Sequence, residues 1–472
     1  MSAGRVRPET EASLPSRLLD RHTHGAPGPA PVRIVHLGLD AFHRSPQSSF
    51  YAKHTSDGGD GRITAFCGTR PDVVDPVAAQ DGLFTFVQRS DDGDVFECFG
   101  STAEAVDGPD LQRLKELVAS PQTAVVILSI TEAAYAVDES TGGGLESSTP
   151  LGRLVLALAA RREAGAGPLA VVCCDNLAHN GAVTRNALLA LAAWPAGQTG
   201  SFAGLADWID ANVSFVSTSV DSITPRTTTA HRKLFGEAFG SRDAGAVVAE
   251  PLHNWILCGD FPAGRPRWED AGAVFVDDIE PYENRRLWLL NGAHSILAYS
   301  GLFRGHQTVT EALFDSVCRD AVEEFWDEAA RHLPDNLCIP EYRAALLERF
   351  RNSRIPHHLA QIAMDGTTKL RMRALPVLAA ERAAGHSGDG AARMIAAWLA
   401  YLSAAARFQD PLAAEINNAN ALKGSERTVA LLALLAPDLA GDAGLVTRLD
   451  ALQAAFAAAS PADMSAPDHL DR

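Results

Sequence analysis

The sequence predicts an α/β chain. An N-terminal part is built on a doubly wound parallel sheet, and a mainly α-helical part follows it. Three observations predict this. Short apolar, β-branched runs recur as far as Cys174, a helical stretch separates two of them, and after about residue 280 helical patterns take over. Strand–helix alternation of this kind is the mark of a sheet covered by helices on both faces.

The elements follow in order. Val32–Leu37 (VRIVHL) is a short β-branched run that stops at Gly38, which reads as a buried strand. Ile63–Cys67 reads as a second strand. Ala124–Ile130 (AVVILSI) is a third, apolar throughout, as in a parallel strand buried on both faces. Leu169–Cys174 is a fourth. Between the last two, Leu151–Ala164 carries apolar residues at helical spacing. From Asn291 onward there is almost no strand signal, and Ala391–Ala406 and Thr428–Leu435 have high helix propensity. Gly25–Pro31 and Ser460–Pro467 read as flexible ends. No internal repeat is present.

Composition narrows the function. The chain has 472 residues, 46% of them hydrophobic, with a net charge of −17 and a mean hydropathy of −0.03. That is globular composition, with length for two domains. An acidic surface disfavours nucleic acid and anionic membranes as partners. No apolar run reaches the ~18–20 residues of a membrane span, and the first residues lack the apolar core of a signal peptide. The seven cysteines include no C-x-x-C spacing. This argues against a disulfide framework or a cysteine zinc site and for a cytoplasmic location. The adjacent His357 and His358 have no third metal ligand placed beside them.

The segment Pro281–Tyr299 (PYENRRLWLLNGAHSILAY) is the most informative. Asn291 and His294 stand three apart on an apolar helix, so an amide and an imidazole share one face. Arg286 lies five residues earlier. Such a triple is either a set of satisfied core groups or a working site.

The first strand runs into His36–Ser45 (HLGLDAFHRS). A dinucleotide-binding turn needs glycine there, because the turn is tight and the backbone must approach a pyrophosphate. Gly38 meets that need, and Leu39, Asp40, Ala41, Phe42, His43 and Arg44 complete the candidate cofactor loop. Asp40 is a poor neighbour for phosphate, since like charges repel. Gly38 alone reads equally well as a strand terminator. Asp72, near the end of the second strand, is a candidate for holding an adenosine ribose. Arg70 nearby suits a 2′-phosphate, so NAD and NADP both stand open.

Taken together, these segments resemble the mannitol dehydrogenase family of polyol-specific long-chain dehydrogenases and uronate reductases. The resemblance spans roughly residues 30 to 440. It is carried by IVHLGLDAFHRSPQ from Ile34, AAQDGLFTFVQR from Ala78, SITEAAYAVD from Ser129, CCDNLAHNGAVTRNALLALA from Cys173 and VDSITPRTT from Val220. It continues in EPLHNWIL from Glu250, FVDDIEPYENRRLWLLNGAHSILAY from Phe275, KLRMRALP from Lys369 and QDPLA from Gln409. The resemblance implies an N-terminal Rossmann-type domain, a helical C-terminal domain and an active site in the cleft between them, with NAD or NADP and without zinc. On this reading residues 1–29 form a flexible arm, 30–280 the dinucleotide-binding domain and 281–472 the helical substrate and catalytic domain. A lysine five residues before an asparagine and eight before a histidine is the general base of such enzymes. The asparagine and histidine match Asn291 and His294, and a second asparagine matches Asn176. The amides would stabilise a developing alkoxide, and the histidine would orient the substrate or the base. Asp221 and Arg373 match substrate-binding positions, and Glu283 matches an acidic residue suited to proton exchange with solvent. Glu132 is a further cofactor-side candidate, although a capping or turn carboxylate is the favoured reading. His179 and Asn180 read as loop-shaping residues.

The chain departs from that pattern in three places. The lysine position holds Arg286, Asp40 stands where glycine is common, and Pro46 stands where histidine is usual. A guanidinium stays protonated and is a poor base at neutral pH. Four readings follow. One is an oxidoreductase in which Arg286 holds a carboxylate or polarises a carbonyl, while His294 or a water moves the proton. The others are a slower polyol dehydrogenase, a degenerate member that binds a sugar acid or nucleotide without turnover, and a non-redox enzyme on the same scaffold. The expected partners are a small polyol, ketose or sugar acid, for a monomer or homodimer.

Overall fold

The structure is a computed structural model and describes residues 17–21, 31–39, 44, 62–67, 74–136, 147–193, 202–222, 224, 225, 227–251 and 254–458. The chain divides into two compact units, Met1–Glu280 and Pro281–Arg472.

The first unit is organised by an eight-stranded sheet. Its strands in chain order are β1 (Val32–Leu37), β2 (Arg62–Phe66), β5 (Thr102–Val106), β6 (Val125–Leu128), β7 (Leu169–Cys173), β8 (Val213–Asp221), β10 (Asn254–Cys258) and β11 (Val274–Phe275). The spatial order is β11-β10-β8-β7-β6-β1-β2-β5. From β5 to β8 all neighbours are parallel. β10 then pairs antiparallel with β8, and β11 parallel with β10. The six parallel strands reproduce the doubly wound dinucleotide-binding order, with its reversal point between β1 and β6.

Burial explains why the strand runs are apolar throughout. Val35 and Leu37 of β1, Val126 and Leu128 of β6, and Val171 and Cys173 of β7 enter one core. Their neighbours Ile34, Val125, Ile127, Ala170 and Val172 enter a second core. Alternate residues point to opposite faces, so a strand covered on both sides must be apolar at every position.

A smaller sheet of β4 (Gly93–Phe99), β3 (Phe84–Ser90) and β9 (Val247–Ala249) packs around Phe84, Phe86 and Phe99. A buried knot holds it. Asp243 accepts hydrogen bonds from Gln80 Nε2 (2.8 Å), Thr85 N (2.5 Å) and Gly245 N (2.8 Å).

The expectation of a flexible arm over residues 1–29 needs correction at 17–21. Leu19 is buried, and Arg21 donates to the carbonyls of Asp81 (2.7 Å), Gly100 (3.0 Å) and Thr102 (2.7 Å). Three carbonyl acceptors and one apolar anchor fix this stretch. Of the two stretches read as flexible ends, residues 25–30 and 460–467 lie outside the described residues.

In the second unit, helices account for the regular structure among the described residues, apart from one isolated bridge between Thr308 and His358. The Ala391–Ala406 pattern lies on the helix Asp389–Ala404, which packs its small residues into the interior. Pro281–Tyr299 is not one uniform α-helix. Glu280–Arg285 and Ala293–Phe303 are α-helical, and Arg286–Gly292 between them is π-helical.

Candidate active site

In the first unit, the candidates in described residues collect along one edge of the sheet. β1, β6 and β7 end level, with Leu37 opposite Leu128 and Leu128 opposite Cys173. Gly38, Glu132 and Asn176 follow those ends, and Asp221 closes β8. Ligands of open parallel sheets bind outside the carboxyl ends of the strands, at the reversal point.

Gly38 carries the strictest local requirement. Its φ is +118°, and a Cβ added there would lie 2.0 Å from the Ser129 carbonyl oxygen. Any side chain is therefore excluded, which is what a backbone that approaches a pyrophosphate needs. Ser129 Oγ donates to the Gly38 carbonyl (3.0 Å) and lies 2.9 Å from His36 Nε2. Leu39 is buried. Arg44, a candidate member of the cofactor loop, is buried and donates from Nη1 to the Gly245 carbonyl, so part of its fork serves packing. Asp40, Ala41, Phe42, His43, Arg70 and Asp72 lie outside the described residues.

Asn176 is exposed in the loop after β7, Glu132 is exposed in a short 3-10 turn, and Asp221 is buried opposite Asn254. Asp175, which sequence reasoning passed over, organises this edge. It accepts from Ile130 N (3.0 Å), Thr131 N (2.9 Å) and Tyr135 Oη (2.5 Å). Thr131 is held at φ +89°, a costly conformation for a β-branched residue. Asn180 proves to be a tie between strands. Its side chain donates to the carbonyls of Asp175 (3.0 Å) and Thr218 (2.7 Å) and accepts from Thr218 N (2.9 Å).

In the second unit, the π-helical turn determines which side chains share a face. In an α-helix, positions five apart sit about 140° apart around the axis. An i→i+5 turn has more residues per revolution and brings them much closer to one face. Arg286 and Asn291 bracket such a turn. Trp326 Nε1 donates to the Leu289 carbonyl (2.7 Å), and Arg373 Nη1 donates to the Asn291 carbonyl (3.1 Å), satisfying acceptors in the widened turn. Gly292 lets Phe325 press against it, since an added Cβ would lie 2.4 Å from the Phe325 ring.

Arg285 and Arg286 serve different ends. Arg285 is buried, donates to the Leu337 carbonyl (2.7 Å) and lies over the Tyr342 ring at 4.2 Å, so it holds the fold. Arg286 and Glu283 are half-buried. Arg373 donates to Ser295 Oγ (2.9 Å) as well as to Asn291. Its pKa is lowered to about 10 by burial, with Arg286 adding to the effect.

His294 is pushed well below the usual histidine range, first by burial and then by Arg349, His357, Arg373 and Lys369. It is therefore neutral at pH 7. The His357 ring lies 6.0 Å away and is lowered to about 4 by burial and then by Arg349. Among the described residues, neither ring's Nε2 has a hydrogen-bond partner. Sequence reasoning missed Arg349, Lys369 and Ser295. Lys369 had a readable signal, since it stands one helical turn before Arg373 in a chain with few lysines. None of the seven cysteines forms a disulfide. Among the described residues no cluster of three metal ligands occurs, and no helix is long and apolar enough to cross a membrane.

A doubly wound sheet with a glycine turn at its reversal point, followed by a helical unit with a polar cluster, defines a two-domain protein whose first domain is of Rossmann type. The mannitol dehydrogenase Rossmann domain matches residues 32–270, and the mannitol dehydrogenase C-terminal domain matches residues 278–454. The chain belongs to the mannitol dehydrogenase family. It is 34% identical to the D-mannonate oxidoreductase of Escherichia coli, over 88% of this chain and 91% of that protein. A mannitol 2-dehydrogenase of Pyrenophora tritici-repentis is 30% identical, over 88% and 78%. The structure of Pseudomonas fluorescens mannitol 2-dehydrogenase in ternary complex with NAD and D-mannitol is similar, with a TM-score of 0.74 and 31% identity over 94% of this chain and 95% of that one. A substrate-free D-sorbitol dehydrogenase gives a TM-score of 0.83 at 25% identity, over 97% and 100%.

Proposed function

We propose that this chain is an NAD(P)-dependent oxidoreductase that interconverts a secondary alcohol of a polyol or sugar acid and its ketone, with sugar acids preferred. One observation carries the preference. Two guanidinium groups, Arg349 and Arg373, act on His294, with Lys369 and the His357 ring beside them. Arg286 adds to this field through Arg373. A carboxylate is the ligand such a field favours, and guanidinium forks bind it bidentately. Among the relatives, the E. coli protein is named for a sugar acid, and the P. fluorescens enzyme was solved with a neutral polyol.

Gly38, Leu39 and the loop through Asp40, Ala41, Phe42, His43 and Arg44 would hold the dinucleotide, with Asp72 toward the ribose. The excluded side chain at Gly38 fits that role. A bound nicotinamide supplies the hydride acceptor or donor. Asn176 and Asn291 would donate amide N–H groups to the substrate oxygen. Arg286 and Arg373 would hold the acid group, and Asp221 a hydroxyl. Neutral His294 would orient the substrate, and Glu283 would exchange protons with solvent. Oligomeric state, monomer or homodimer, belongs to the same proposal.

The test is titration with NADH and NADPH, followed by tryptophan quenching, and then a turnover screen of aldonates, uronates, hexitols and ketoses. Micromolar binding with a higher kcat/KM on a sugar acid is the expected result. A hexitol that matches or beats every acid overturns the preference. The substitution at Arg286 favours one other reading, a protein that binds without turnover. That reading requires binding with no reaction on any member of the panel.

A further inference from the structure

Arg286 leaves the family's base position with a group that does not give up its proton. We propose that Lys369 is the proton acceptor for alcohol oxidation in this chain. The inference rests on the function proposed above.

The chain has five lysines, and only Lys369 and Lys423 lie in the helical unit. Lys423 is exposed, whereas Lys369 is half-buried. Lys369 sits on the helix Gly366–Arg373, one turn before Arg373 and on the same face. Arg373 pins that helix to the site through the Asn291 carbonyl (3.1 Å) and Ser295 Oγ (2.9 Å). The start of the helix is fixed as firmly. Asp410 accepts from Thr367 N (2.8 Å) and Thr367 Oγ1 (2.6 Å), and Asp365 N donates to the Gln409 carbonyl (2.9 Å). Lys369 Nζ makes one hydrogen bond among the described residues, to the Ile362 carbonyl at 3.0 Å.

The groups that face it are Arg373 on its own helix, Asp365 before that helix, Asp410 from the packed loop, and His294 with its neighbours Arg349 and His357. Burial and then Arg373 lower the lysine pKa, while Asp365 and Asp410 oppose this. His294 is too weak a base, the arginines stay charged, and the Asp410 carboxylate already accepts from Thr367, so the lysine is the amine placed to take a substrate proton in this cluster. In oxidation the substrate O–H bond breaks and its proton goes to the neutral Nζ, giving an ammonium. The carbinol C–H electron pair leaves as hydride to an oxidised nicotinamide dinucleotide, and the C=O bond forms. In reduction the ammonium returns the proton to the ketone oxygen.

The test compares the parent with Lys369→Arg, which keeps the charge, and with the double variant Lys369→Arg/Arg286→Lys. Three readouts are needed: the pH profile of kcat/KM, NADH affinity, and NMR titration of 13C-methylated lysines. Lys369→Arg should lower the oxidation rate about 10²–10⁴-fold and abolish its alkaline-rising limb. NADH affinity should stay within about twofold, and the double variant should recover the limb. The Lys369 resonance, assigned by its loss in Lys369→Arg, should titrate below the other four. A variant that keeps rate and limb, or a Lys369 signal that titrates with the others, overturns the proposal. A parent with no turnover on any acid or polyol overturns both this inference and the function it rests on. A parent with turnover and an unaffected variant overturns this inference alone.

Discussion

Replacing Asp175 by Asn tests how the sheet edge is held. The carboxylate accepts three hydrogen bonds, two from backbone N–H groups and one from a tyrosine hydroxyl. An amide has one oxygen, so one of the two sites must present an NH2 group. Placing that NH2 toward Thr131 is the less costly choice, because Ile130 and Tyr135 are buried and Thr131 is exposed. The variant then loses one charge-assisted bond outright and weakens two others, a cost of about 1–3 kcal/mol. The bond lost is the one on Thr131, whose positive φ carries about 1–3 kcal/mol of strain that the structure must hold. Thr131 should relax, moving the loop beyond β6 beside Gly38. In a unit of this size the loss amounts to about 2–6 °C in Tm. The assay is a thermal melt followed by NADH titration, with a Tm drop and about 5–50-fold weaker NADH binding expected. A variant that melts and binds like the parent would refute the claim that Asp175 positions this edge.

Three further outcomes are expected. Gly38→Ala should destabilise the first unit by about 3 kcal/mol or more, since the new methyl meets a backbone oxygen at 2.0 Å; normal melting with intact NADH binding would contradict the close approach. Arg286→Lys should raise KM for a sugar acid about 10–100-fold through loss of the guanidinium fork and leave KM for neutral hexitols unchanged; equal effects on both classes would remove Arg286 from carboxylate recognition. Glu381 is buried beside Arg331, His332 and His386, and its hydrogen bond from Arg331 is the largest cause holding its carboxyl down to about 2. Because the folded-state value is depressed from 4.5, this stability is present above about pH 4.5 and lost as pH falls toward 2. Glu381→Gln should therefore cost the helical unit about 2 kcal/mol near neutrality, trimmed from the full shift because Arg331 is half-exposed, and nearly nothing at pH 2. Denaturant melts across that range read the difference, and a constant gap would refute the linkage.

The parts of the fold that the sequence made legible are those where burial is uniform. β1, β6 and β7 are covered on both faces, so their apolar runs stand out from any background. β8 (VSFVSTSVD) mixes apolar and polar residues because several of its positions are only partly covered, and it read as no element at all. The hairpin of β3 and β4 had a usable signal in FTFVQRS-DD-GDVFECF, a pair of strand-like runs around two aspartates. At the site, Asn291 and His294 stood out because polar groups are rare on an apolar helix. Asp175 was hidden beside a more conspicuous asparagine. Its value lies in backbone N–H groups more than forty residues away in sequence, which no local pattern reveals.

The π-helical turn was least legible, and it bears most on chemistry. Helical periodicity over Pro281–Tyr299 assigns Asn291 and His294 to one face and Arg286 only to a nearby one. Seven residues of π-helix undo that assignment. A π turn forfeits ordinary i→i+4 bonds and needs outside partners. Here the partners are Trp326 at the Leu289 carbonyl and Arg373 at the Asn291 carbonyl. Arg373 thus meets two demands with one guanidinium, since it stabilises the turn and adds charge beside His294. The cost is that His294 cannot hold a proton at neutral pH, because burial and every neighbouring cation act in the same direction. The guanidinium groups of Arg349 and Arg373 beside His294 disfavour protonated bases there. Arginine at position 286 then fits the surroundings it sits in. On the function proposed above, Arg286 would hold the acid group, and the proton would pass to the lysine on the helix that Arg373 ties down.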